Sequence, residues 1–356
     1  MKKQTFLSVV MPVYNAETYL AESVRSIWEQ TFSDWELILV NDASSDRSGD
    51  MCDTLASQDE RIHVIHLEEN RGAGHARNCG MELASGEYLT FMDADDTIED
   101  ALYEKIYACG EKNRPDEIVW GVTEDYYDAD NQLVMQNKIS LQEISCDTVS
   151  KTRKNIIKLE EKTLFGYQWN HAYKLEIIRD NHIVINDMIL YEDYFFNLAV
   201  IQHVATMTVL HDTAYHYKKR MNESITGRFV PEYFELCTKR VGSLYECYQK
   251  WGMYSPAVRD ILGNIYLRYS LSGLMRNNDP QADMSRKEKK QWVKDLFASQ
   301  LYQKTAMNCN VKSMPLKVLQ GLLNKRCVCL CLLMGQFVYF IKNKRPMTFS
   351  KKKIVK

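Results

Sequence analysis

From Phe6 to Thr123, short apolar runs alternate with segments whose apolar residues recur every three or four positions. That is the pattern of strands joined by crossover helices in an α/β sheet. Phe6 to Met11 reads as a first strand, closed by Pro12. Leu20, Val24, Ile27 and Trp28 then keep helical spacing, which predicts an amphipathic helix over 16–30. Further strands are predicted over 35–40, 61–67, 88–92 and 117–123, and helices over 43–57, 72–84 and just before the fifth strand. Ala43-Ser44-Ser45-Asp46 offers cap residues for the second helix. Four polar clusters fall at strand C-terminal ends, the side on which open α/β sheets bind ligands.

Residues 124–230 are less regular, with short strands expected near 207–210 and 214–217. From Pro231 onward the spacing is helical, with a charged linker expected over Ser285 to Lys290. The expected organisation is a domain over 1–230 and a helical region over 231–356. With 45% hydrophobic and 26% charged residues, the composition excludes disordered and collagen-like chains. The net charge of −2 hides a division: up to Asp295 there are 47 acidic and 33 basic residues, and beyond it 12 basic residues and no acid. Opposite fields on two parts of one chain imply different partners. The ten cysteines show no paired C-x-x-C, so reduced thiols are expected; Cys327, Cys329 and Cys331 lie in an apolar run that favours packing over metal binding. Met1-Lys2-Lys3-Gln4-Thr5 leads straight into a strand with no secretory h-region, so a cytoplasmic location is expected.

Asp93, Asp95 and Asp96 crowd three carboxylates into a turn after a buried strand. Their repulsion is relieved by solvent, by Asp96 capping a helix near Ile98, or by a divalent cation such as Mg²⁺ or Mn²⁺. Glu192 and Asp193 precede aromatic residues that belong in a core, either as helix caps or as a general base. Gly72-Ala73-Gly74 fails as a dinucleotide fingerprint: Arg77 stands where its third glycine would be, and it follows the third strand instead of the first.

Pro12-Val13-Tyr14-Asn15, Asp42 with Ala43-Ser44-Ser45-Asp46, Ala76-Arg77-Asn78-Cys79-Gly80, Gly86-Glu87-Tyr88 through Asp96, Trp169-Asn170 and Tyr191-Glu192-Asp193 occur in order. Together they resemble the family 2 inverting glycosyltransferases over about residues 5–225. The resemblance implies a GT-A nucleotide-sugar-binding fold: a mixed, mostly parallel sheet with helices on both faces. It implies that Pro12, Tyr14 and Asn15 line the nucleotide pocket and that Asp42 hydrogen-bonds the base. Arg77 would either balance acid in the pocket or touch the diphosphate. Asp93-Ala94-Asp95 matches the D-x-D motif, with Asp95 as the direct ligand of Mn²⁺ or Mg²⁺, Asp93 near both ribose and metal, and Ala94 beside the nucleotide sugar. Arg220 and Ser224 match a basic loop closing over the diphosphate, and Trp169 and Asn170 the acceptor side, although His171 replaces the family's usual Lys. Asp193 aligns with the catalytic base, and Glu192 is its alternative.

The expected activity is metal-dependent transfer of a sugar from a nucleoside diphosphate sugar, a UDP-sugar above all, to a glycan or lipid-linked glycan hydroxyl in cell-surface polysaccharide synthesis. Two rivals are a sugar nucleotidyltransferase, which needs a Gly-rich loop where Pro12 to Asn15 has none, and a non-catalytic carbohydrate-binding scaffold. Residues 312–356, with an apolar run from Cys327 to Ile341 flanked by basic residues, suggest an anionic membrane surface and a peripheral place on its inner face; the acidic body opposes nucleic acid.

Overall fold

The computed structural model describes residues 5–220 and 229–344. It divides into two compact units, Met1–Glu223 and Ser224–Lys356.

In the first unit the order is β1 (Leu7–Val13), α1 (Leu20–Trp28), β2 (Trp35–Asn41), α2 (Ser48–Gln58), β3 (Ile62–His66), α3 (Ala73–Leu83), β4 (Tyr88–Phe91), β5 (Thr97–Ile98) and α4 (Leu102–Asn113). Then come β6 (Glu117–Val119), β7 (Val122–Tyr127), β8 (Leu133–Ile139), β9 (Ile144–Cys146), α5 (Val149–Glu161), β10 (His171–Lys174), α6 (Leu175–Asp180), α7 (Glu192–Val200), β11 (Met207–Val209) and β12 (Tyr215–Arg220). The main sheet has eight strands in the order β3-β2-β1-β4-β10-β6-β11-β9. Only β10 and β9 run against the rest. Every residue of β2 is buried, as expected for a parallel strand covered on both faces. Past Val10, the last partner of β4, the β1 strand continues beside β2 alone. Pro12 is therefore tolerated inside β1 instead of ending it, because one side has no ladder to lose.

The run expected as one strand over 117–123 is two. β6 belongs to the main sheet and β7 to a four-stranded sheet, β5-β12-β7-β8. The break is at Gly121, whose amide donates to the Asp212 carbonyl. A Cβ there would come within 2.3 Å of the Ile139 carbonyl oxygen and 2.5 Å of that of Asp212. Two other backbones approach too closely for any side chain. Asp96 caps no helix: Thr97 and Ile98 form β5, which pairs with β12.

The second unit is helical: α8 (Tyr233–Lys250), α9 (Pro256–Arg276), α10 (Arg286–Ala298), α11 (Met314–Asn324) and α12 (Val328–Lys344). α9 packs against α8, α11 and α12. The expected linker at Ser285 to Lys290 is instead the start of α10. Ser285 accepts from the Glu288 amide while the Glu288 carboxylate accepts from the Ser285 amide, a reciprocal cap.

Candidate functional site

The site is built at the C-terminal ends of β1, β2 and β4, where side chains from successive loops brace one another. The Ser45 amide and hydroxyl donate to the Asn15 side-chain carbonyl at 2.9 and 3.2 Å, and the Asn15 amide donates to the Ser44 hydroxyl at 3.1 Å. Asn15 takes a left-handed φ of 48°, which Asn tolerates better than most residues. The Glu17 amide donates to Asp46, and the Arg47 amide to Glu17. These bonds hold the loops after β1 and β2 together as one wall; of the residues expected to cap α2, Asp46 also accepts from the Ser48 amide at that helix's start, at 2.9 Å. Tyr14 stands out from that wall, 52% exposed, and Pro12 lies beneath it in β1.

Asp42 is buried, with both carboxylate oxygens engaged: the Arg71 and Gly72 amides donate to them at 2.9 and 2.8 Å. It fixes the approach to α3, where Gly72 takes φ 89°.

Asp93, Ala94, Asp95 and Asp96 follow β4, and the structure separates three carboxylates that are adjacent in sequence. Asp96 is fully buried and structural: the Tyr215 hydroxyl and the Lys218 amide donate to its two oxygens, both at 2.8 Å. The Ser23 hydroxyl of α1 donates to its main-chain carbonyl. Burial, with Asp95 and Asp93 beside it, drives the Asp96 carboxyl well above the usual range. Asp95 is half-exposed and pairs with Arg220 at 2.9 Å; burial and the Asp93 charge raise it to about 6, against the opposing pull of Arg220. Arg220 is the last residue of β12 and stacks 3.8 Å over Tyr19. Ser224 falls outside the described residues.

Arg77, on α3, is the hinge of the arrangement. Its buried guanidinium lies 2.7 Å from Asp93 and 3.4 Å from Asp193. Arg77 thus stands between two carboxylates that are far apart in sequence. Asp193 and Glu192 are in the first turn of α7, entered through Tyr191 at φ 69°. The positive end of that helix faces them. Burial pushes the Asp193 carboxyl up to about 7; Arg77 opposes this, and Glu192 and Asp93 add to it. A carboxylate titrating near neutrality is suited to accept a proton in catalysis.

Trp169 and Asn170 do not face an open cleft. Trp169 is buried in a stack, 4.5 Å from Tyr167 and 4.3 Å from Tyr215. The Asn170 amide group donates to the Trp120 and Leu164 carbonyls at 3.0 and 2.9 Å. His171 is buried against Glu117 at 2.7 Å and the Leu164 carbonyl at 3.1 Å. These three side chains are packed into the first unit, and Trp169 meets the acidic turn through its stack on Tyr215. His216 pairs with Asp125 at 2.8 Å and Glu99 at 3.5 Å.

Tyr215, Lys218 and Ser23, which hold the acidic turn, carry no mark in the sequence; strand alternation around 214–217 places Tyr215 on a face but not on a partner. Asn197 is another. One turn along α7 from Asp193, it donates to the Phe165 and Tyr167 carbonyls and accepts from the Tyr173 hydroxyl at 2.6 Å.

Residues 8–181 match the family model described as Glycosyl transferase family 2. The chain is 28% identical over 273 residues to the uncharacterized glycosyltransferase EpsJ of Bacillus subtilis, covering 76% of this chain and 77% of that one. It is 40% identical over 124 residues to the glycosyltransferase GlyG of Streptococcus pneumoniae, covering 35% of this chain and 40% of GlyG. Among solved structures it is similar to residues 1–349 of S. aureus TarS in complex with UDP-GlcNAc, at 20% identity and a TM-score of 0.65, covering 93% of this chain and 90% of that one. At that identity the likeness is one of fold.

Proposed function

We propose that this chain, a glycosyltransferase that carries a family 2 domain over residues 8–181, transfers a sugar with inversion from a UDP-sugar to a glycan or lipid-linked glycan hydroxyl. The observation that carries the reading is the Arg77 guanidinium, which ties Asp93 on the donor side to Asp193. Single displacement needs a base on the face of the sugar opposite the leaving diphosphate. Asp193 takes the acceptor hydroxyl's proton as that oxygen attacks the anomeric carbon, and the bond from that carbon to the nucleotide's oxygen breaks. Tyr14 offers an exposed ring to a base. Asp42 keeps a second lone pair on each oxygen, enough to accept from an imide N–H while holding the loop. The UDP-GlcNAc of the TarS complex supports a UDP-sugar donor.

The acidic turn fits a divalent cation. Asp96 is spent on Tyr215 and Lys218, which leaves Asp93 and Asp95, each with one oxygen paired to an arginine. Among the described residues no group of three His, Cys, Asp or Glu could hold a metal. Mg²⁺ and Mn²⁺ need no more than one or two carboxylates when phosphate and water complete the shell. Bound there, the ion would neutralise charge on the leaving diphosphate. Arg220, which holds Asp95 here, would then be the cation placed to meet the diphosphate.

A panel of nucleotide sugars with Mn²⁺ tests the proposal. Release of UDP from a UDP-sugar is expected; pyrophosphate release would point to a nucleotidyltransferase, and binding without turnover to a scaffold. For the metal site, Asp95→Ala is expected to weaken Mn²⁺-dependent UDP binding at least ~10-fold by calorimetry. The fold should persist, because a half-exposed turn carboxylate empties no core, with a melting temperature lower by a few °C for the partner that the buried Arg220 loses. Unchanged UDP affinity with unchanged metal dependence would remove Asp95 from the site. We place the reaction at the inner face of the cell membrane, where a lipid-linked acceptor would be met.

A further inference from the structure

We propose that the outward face of α12 is the surface by which the chain lies on an anionic lipid bilayer. The proposal rests on the membrane-face setting given above and assigns it to named residues. Within α12, Cys331 and Gly335 are buried one turn apart and define the inward side. A Cβ at Gly335 would come within 2.6 Å of the Leu274 carbonyl oxygen, so this side is closed tightly on α9. On the opposite side Leu330, Leu333, Phe337 and Phe340 follow at intervals of three, four and three, and they are 50, 57, 64 and 55% exposed. Among the described residues α12 is thus apolar on two opposite faces, the inward one buried and the outward one half or more exposed. α11 adds Met314 and Val318, four apart and also exposed. Single exposed apolar residues are ordinary, but four large ones aligned on a helix mark an interaction surface.

Over its described residues α12 is too short to span. Its 17 residues extend about 25 Å against a hydrocarbon core of ~30 Å. Among the described residues no helix is long and apolar enough to cross a membrane. A helix of this kind lies in the interface with its apolar side down.

Charge selects the occupant. Lys325 and Arg326 are exposed directly before α12, and Lys312 and Lys317 are exposed at the start of α11 and just before it. No acid follows Asp295 in the sequence. A second copy docked through the same face would set like charges against each other. Anionic headgroups would instead pair with them, while the phenylalanines and leucines enter the acyl boundary.

Sedimentation of the full chain with vesicles decides the matter, using phosphatidylcholine alone and phosphatidylcholine mixed with phosphatidylglycerol. Binding to the mixed vesicles that weakens with salt is expected. The double variant Phe337→Ser, Phe340→Ser should partition about 10-fold less or weaker still, with donor hydrolysis unchanged. Absence of binding by the parent, or equal binding by the serine variant, overturns the proposal. So does a parent dimer in light scattering that the serine pair dissociates while vesicle binding persists, which would assign the face to a second copy. Should the serine pair unfold, Phe337→Trp in the parent answers alone: a blue shift of emission with mixed vesicles supports the proposal, and an unshifted spectrum sinks it. UDP release is read in parallel, so failure of the lipid surface leaves the transfer reading standing or falling separately.

Discussion

Asp193→Asn is expected to lower kcat by ~100-fold to ~10,000-fold with donor affinity retained, because the amide keeps the shape and cannot take the acceptor's proton. The parent enzyme's pH profile gives a second readout. Burial raises the Asp193 carboxyl to about 7, and only its deprotonated form is a base. The rate should therefore rise with pH, roughly tenfold per unit below about 7, and level off above it. That limb should vanish in the residual activity of the Asn variant. A healthy Asp193→Asn beside an inactive Glu192→Gln would move the role one residue back.

Arg77→Met is expected to cost about 3 kcal/mol of stability, or ~6–12 °C in melting temperature, because it leaves Asp93 and Asp193 near each other without their shared cation. The same change removes the Arg77 charge, which lowers the Asp193 titration, so its pH limb should move upward. Arg77→Lys keeps the charge but not the two-armed geometry, and should recover only part of the loss. Adding Asp193→Asn to Arg77→Met should restore stability relative to Arg77→Met alone, since one of the stranded charges is gone. If denaturation shows the two substitutions simply additive, the guanidinium does not couple these carboxylates.

Much of this site is legible in the chain because its chemistry is local. Asp93 and Asp95 stand in one turn after one buried strand, and Asn15, Asp42 and Asp193 each fall at an element's end that periodicity locates. The helical region is legible for the same reason, and Ser285 and Glu288 form an S-x-x-E cap that marks the start of α10 within a charged run. Where the reading failed, the deciding contact came from far along the chain. The strand over 117–123 breaks because the backbones at Ile139 and Asp212 close on Gly121. The burial of Trp169 and Asn170 is of this kind, set by the Tyr215 ring and by the Trp120 carbonyl 50 positions away.

The sequence by itself determined the alternation of strands and helices, the acidic turn, the candidate base and the division of charge. Each depends on residues a few positions apart, where backbone geometry allows little choice. Tertiary structure alone decided which carboxylate each cation holds. Arg77 reaches Asp193 across 116 positions, and Arg220 reaches Asp95 across 125. It also decided that β12 takes both oxygens of Asp96 and, through Arg220, one oxygen of Asp95. Such pairings follow from the order in which strands assemble into sheets, and an antiparallel β10 inserted between β4 and β6 leaves no trace in local periodicity. Exposure of the α12 stripe is of the same kind: the apolar run was visible, but which of its faces α9 covers is settled only by packing at Gly335.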